Sequence, residues 1–142
     1  MTKENEQNSN WTLLFLAWIV ATIAMLGSLF FSEVMDFVPC TLCWYQRILM
    51  YPLVLILLVG MMPYDKNALR YAAPFVVIGW FTSLFHNLLH YEIVSEDISP
   101  CVQGVPCSTK YIEWFGFITI PMLSFIAFTI IAVLFYMIKR KN

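Results

Sequence analysis

Charge is what this sequence has least of. Only 12% of its 142 residues are Asp, Glu, Lys or Arg, against 61% hydrophobic, and the mean hydropathy is +0.75. A soluble domain is nearer a quarter charged and half apolar, so an ordinary water-soluble globule is excluded. A net charge of −1 says nothing as a total, and no nucleic-acid partner is expected. A cleavable signal peptide is missing too. The first apolar run is far longer than the roughly 7–15-residue core of such a peptide, and no clear small-residue cleavage site follows it.

What is present is four runs long enough to cross a bilayer, which takes roughly 20 apolar residues. They extend from about Trp11 to Ser32, Leu42 to Met62, Tyr71 to Tyr91 and Ile112 to Ile138. In lipid each must be a helix, because only a helix satisfies its backbone polar groups internally. The expectation is therefore an all-α membrane protein, a four-helix transmembrane bundle forming one domain over residues 1–142. Pro52, Pro74 and Pro121 fall inside the runs, where neighbouring helices can re-satisfy the backbone.

Basic residues orient the bundle. An even number of spans puts both termini on one side, together with Lys3, Lys66, Arg70, Lys139, Arg140 and Lys141. These are six of the eight Lys and Arg; the other side has only Arg47 and Lys110. The positive-inside rule places the termini in the cytoplasm and residues 33–41 and 92–111 outside. Cys40, Cys43, Cys101 and Cys107 are then all extracytoplasmic, where disulfides persist.

The cysteines come as two pairs. Cys40 and Cys43 form a C-x-x-C at the start of the second span, a spacing that suits a reactive disulfide closing a small ring. Cys43 in the first helical turn would meet unpaired amide N–H groups that favour a thiolate. Arg47, four residues on, shares its face, and the N-terminal lean of helical side chains would bring its guanidinium back toward the sulfur. An Arg within a span costs roughly 2.5–3.5 kcal/mol on insertion scales, which marks it as a functional candidate. Two cysteine pairs near one membrane surface suggest a relay of electrons between disulfides.

Bland readings stand beside this one. Arg47 alone could snorkel to the interface. Cys101 and Cys107 alone suit a structural loop disulfide. All four thiols together could make a tetrahedral zinc site, although extracytoplasmic thiols tend to oxidise. A relay run in the opposite direction, as a disulfide reductase, uses the same residues.

The run Pro39-Cys40-Thr41-Leu42-Cys43-Trp44-Tyr45-Gln46-Arg47 resembles the C-x-x-C-x-Y-x-R motif of the DsbB family of membrane thiol oxidases. Phe85-His86-Asn87-Leu88-Leu89-His90 and the later pair Cys101 and Cys107 extend the resemblance over about Trp11 to Lys139, closest to the short-loop Bacillus type. The resemblance implies a quinone-dependent thiol-disulfide oxidoreductase of the cell membrane. Electrons would enter at Cys101–Cys107 from an extracytoplasmic thioredoxin-like thiol oxidase, DsbA-like or BdbD-like. They would pass to Cys40–Cys43 and on to a membrane quinone, menaquinone or ubiquinone. It further implies that Arg47 and His86 bind the quinone; His90 has no such counterpart. One departure is the short spacing of the second pair, with only Val102 to Pro106 between the cysteines. How that pair reaches both the partner and the first pair is left open.

Overall fold

Four long helices arranged in a ring form the computed structural model, which describes residues 2–98, 101, 106–107 and 119–141. They are α1 (Thr2–Glu33), α2 (Thr41–Met61), α3 (Asn67–His90) and α4 (Ile120–Lys141), with a 3-10 turn at Glu96–Ile98. There is no strand among the described residues, and all four helices are long and apolar enough to cross a membrane.

The helix ends depart from the hydropathy runs for local reasons. Neither Gly nor Pro interrupts residues 2–10, so the polar start of the chain continues α1, with Glu4 in the first turn where the helix dipole favours an acid. α3 starts at Asn67, whose N–H donates to the Asp65 carboxylate at 2.8 Å. α4 runs through Lys139, Arg140 and Lys141, cations that suit a helix C-terminus. Of the expected fourth run, residues 112–118 lie outside the described residues. Pro121 stands in the first turn of α4 rather than in its interior, where its missing N–H would have had no helical partner. α3 ends in a Schellman-type turn. Glu92 takes a left-handed φ of 57°, its N–H meets Leu89 O, and the N–H of Ile93 meets Leu88 O.

Each helix packs on two neighbours in the order α1, α2, α3, α4 and back to α1. Leu14, Leu53, Leu57, Val76, Phe128 and Ile131 fill the centre. Gly79 lets α4 press against α3, since a Cβ there would run into the Phe128 ring. Trp80 Nε1 donates to Thr129 Oγ1 at 3.1 Å and Asn87 Nδ2 to Pro121 O at 2.9 Å, so polar groups also tie α3 to α4. Outward faces carry Ile23, Leu26, Ile48, Leu55, Val77 and Val133, all exposed. Apolar side chains on every outer face are what a bundle immersed in lipid requires.

Adjacent helices run antiparallel. Lys141 Nζ donates to Ser9 Oγ at 2.7 Å, which joins both chain ends at one end of the bundle. The α2–α3 turn, with Lys66 and Arg70, lies at that same end. All four cysteines lie at the other.

Candidate active site

The site is built where α2 begins and α3 ends. Cys40, on extended backbone after Pro39, is the N-cap of α2 (φ −74°, ψ 172°), its sulfur accepting the N–H of Cys43 at 3.4 Å. A cap with three residues to the next cysteine brings both sulfurs to the same helix end, 2.9 Å apart. α3 approaches antiparallel and puts His86 opposite. Its Nε2 is 3.7 Å from Cys40 Sγ, and its Nδ1 is 3.1 Å from Gln46 Nε2. With the Gln46 amide nitrogen donating, Nδ1 is the acceptor and Nε2 carries the proton toward sulfur. His86 is 1% exposed and Gln46 7%, so this chain of contacts is shielded from water.

Cys40 lies just outside the membrane-spanning part of α2, and its thiol is held well below its ordinary range. The largest cause is the hydrogen bond with the Cys43 sulfur. Burial opposes it, and the contact with His86 and the Cys43 N–H add to the lowering.

Cys101 and Cys107 are joined in a disulfide, with Cα atoms 5.8 Å apart. Both are buried, and they pack with Cys40, Leu42 and Leu89 in one apolar cluster against which Cys43, Phe85 and Val94 lie. The short spacing of the second pair therefore does not keep it from the first. The disulfide also removes two of the four thiols from the zinc arrangement considered from sequence.

Arg47 is fixed by a second helix. It reaches across to α1, where Nε donates to Ser28 Oγ at 2.8 Å and an Nη to Ser28 O at 2.9 Å. It also lies over the Trp44 ring, 5.3 Å from the centroid. Arg47 is thus half-buried, tied to Ser28 on α1 and to the exposed Trp44 ring.

A cavity of about 390 Å³ opens beside the sulfurs. Cys40, Cys43, Gln46, Arg47 and His86 form its polar end, and it continues between α1 and α4 past Ile23, Gly27, Leu123 and Ile126. His90, buried at the end of α3, also lines it. Sequence reasoning missed Ser28 and Gln46. Gln46 had a signal, being an amide inside an apolar span beside Arg47; a single serine in α1 had none.

The fold and site define a multi-pass membrane protein with two cysteine pairs packed together at one end of a four-helix bundle. The sequence profile described as disulfide bond formation protein DsbB matches residues 9–138, and the chain belongs to that family of disulfide bond formation proteins. It is 53% identical over 129 residues to disulfide bond formation protein C of Bacillus subtilis (strain 168), covering 91% of this chain and 94% of that one. It is 50% identical over 130 residues to a probable disulfide formation protein C of Halalkalibacterium halodurans, covering 92% and 95%. No solved structure matches the chain.

Proposed function

We propose that this protein is a thiol:quinone oxidoreductase that re-oxidises an extracytoplasmic thioredoxin-like thiol oxidase. Cys40, Cys43, Cys101 and Cys107 are its catalytic residues, and Arg47 and His86 bind the quinone. The observation that carries this reading is one cluster in which Cys40, Cys101 and Cys107 are buried together with the half-buried Cys43 against them, beside an apolar cavity with a polar end. The family and the curated relatives, named for disulfide formation, support the same chemistry.

The residues fit a quinone. A cavity of about 390 Å³ between two lipid-facing helices suits a flat ring with an apolar tail. Two of the five N–H donors of Arg47 point at Ser28, which leaves others for a ring oxygen. When bound, the quinone takes up two electrons and two protons.

The protein's own part is thiol exchange. A partner thiolate attacks the Cys101–Cys107 disulfide; the partner's second thiolate resolves the mixed disulfide and leaves Cys101 and Cys107 as thiols. One of these attacks the Cys40–Cys43 disulfide and the other resolves it, so the outer pair is re-oxidised and the inner pair reduced. His86 Nε2–H and the Cys43 sulfur stabilise negative charge on Cys40. Arg47 supplies a fixed positive charge on the cavity wall in a dry, low-dielectric site. Re-formation of the Cys40–Cys43 bond releases the two electrons and two protons.

The test is anaerobic reduction of added quinone by a reduced thioredoxin-like protein, with this protein in detergent. Quinol formation that is lost when either pair is changed to serine supports the proposal. Reduction of the partner's disulfide by added quinol, with no forward reaction, would assign the reverse direction.

A further inference from the structure

Cys40 Sγ, Cys43 Sγ and His86 Nε2 make up a set of three metal-ligand atoms lying within 4.8 Å of one another. We propose that, when the inner pair is reduced, these three side chains form a binding site for a thiophilic divalent cation, Zn²⁺ foremost, and that occupation holds the pair in its dithiolate form. Two thiolates and one imidazole are a familiar donor set for tetrahedral zinc, with an open fourth position.

The geometry needs little change to accept an ion. The Cys40–His86 separation is 3.7 Å, already suited to two donors on one tetrahedral centre. The sulfurs stand 2.9 Å apart and must spread to admit a metal at about 2.3 Å from each. Cys43 has the room, being only half-buried and lining the cavity. The same cavity gives an entry path and a place for a fourth ligand such as water.

Gln46 completes the site from behind. It contacts His86 Nδ1 at 3.1 Å, the position from which an outer partner fixes the ring of a metal-bound histidine. For Nε2 to bind a metal, its proton must sit on Nδ1 instead. The Gln46 amide accommodates this by turning its oxygen toward Nδ1, because an amide offers both an acceptor and donors. Binding then releases only the protons still held by the two thiols. Nothing is oxidised or reduced. The oxidised pair has no thiolate to offer, so affinity for the ion depends on the redox state of the site.

Binding itself does not depend on the quinone reading; only its consequence, arrest of the relay, rests on it. The test therefore uses metal uptake. The Cys101→Ser/Cys107→Ser double variant, which removes the outer thiols, is reduced with a phosphine under anaerobic conditions in detergent and titrated with Co²⁺. The expected result is one Co²⁺ per chain, with visible bands of tetrahedral cobalt and a thiolate charge-transfer band, displaced by Zn²⁺. The same protein with its inner pair oxidised should take up none, a control that needs no further mutation. Cys40→Ser and Cys43→Ser should lose the charge-transfer band in its two-thiolate form. His86→Ala should weaken uptake at least tenfold, and Gln46→Leu roughly 10–100-fold, the usual effect of losing an outer partner. No uptake by the reduced protein, or uptake unchanged in His86→Ala or Cys40→Ser, would overturn the proposal. Metal uptake by this variant, with no quinol formed by the wild-type protein and reduced partner, would leave the site standing and sink the quinone reading alone.

Discussion

Arg47 shows how a single side chain is fixed for a task. Two hydrogen bonds to Ser28 and the Trp44 face hold the guanidinium on the cavity wall. Ser28→Ala removes the Oγ acceptor and leaves the charge. A hydrogen bond to a charged group contributes roughly 1.5–3 kcal/mol, so the apparent KM for quinone should rise about tenfold or more in that variant. Arg47→Lys should raise KM too, because an ammonium lacks the planar fork. Exchange between partner and Cys101–Cys107 should change little. Steady-state kinetics at varied quinone checks this, and unchanged quinone kinetics in Ser28→Ala would separate Ser28 from the site. Cys40 gives a second prediction. Its lowered pKa means the thiolate persists as pH falls below the ordinary thiol range and is lost only as pH drops through the lowered value. Alkylation of Cys40 in reduced protein should therefore hold its rate across neutral pH. Cys43→Ala or His86→Ala removes a lowering contact, so the rate should fall with pH in those variants. A profile unmoved by either change would contradict the assigned cause. At this scale the cysteines and Arg47 stand out by residue type, since each is costly or reactive in a membrane, whereas His86 was singled out only through the family resemblance. Ser28 and Gln46 were not, because their roles come from which helix lies opposite, and that is decided by packing.

At the scale of elements, the four helices were legible because lipid leaves no other option for apolar runs of that length. Their ends were less so, since hydropathy stops where polar residues begin while a helix continues to its cap. α1 and α3 both extend into polar sequence for this reason. The contact of α3 with α4 was not legible at all. It depends on Gly79 facing the Phe128 ring, a match between residues far apart in the chain. Gly79→Leu should force α3 and α4 apart and destabilise the bundle by about 1–3 kcal/mol, the usual cost of overpacking. Phe128→Leu in the same chain should restore part of the loss. Thermal unfolding in detergent, followed by helical circular dichroism, reads both. Equal stability of Gly79→Leu and the parent protein would mean the two helices do not meet closely there.

The whole molecule has two chemically distinct ends. One carries both termini and the basic residues Lys66, Arg70, Lys139, Arg140 and Lys141; the other carries every cysteine. The positive-inside rule predicts from this asymmetry an orientation with the cysteines outside. A membrane-impermeant thiol reagent applied to intact, reduced cells should accordingly label Cys101 or Cys107, and a reporter fused after Asn142 should be cytoplasmic. Labelling that requires opening the membrane would invert the orientation. The central claim is that electrons cross from the Cys101–Cys107 pair to the Cys40–Cys43 pair before they reach quinone. The most direct measurement is the thiol state of each pair, read by mass spectrometry after anaerobic mixing with reduced thioredoxin-like partner and quinone, in wild type and in Cys40→Ser/Cys43→Ser. Wild type should yield one quinol per partner disulfide formed and return both pairs to disulfides. The variant should accumulate Cys101 and Cys107 as thiols and form no quinol. Quinol formation at the wild-type rate in the variant would contradict the relay.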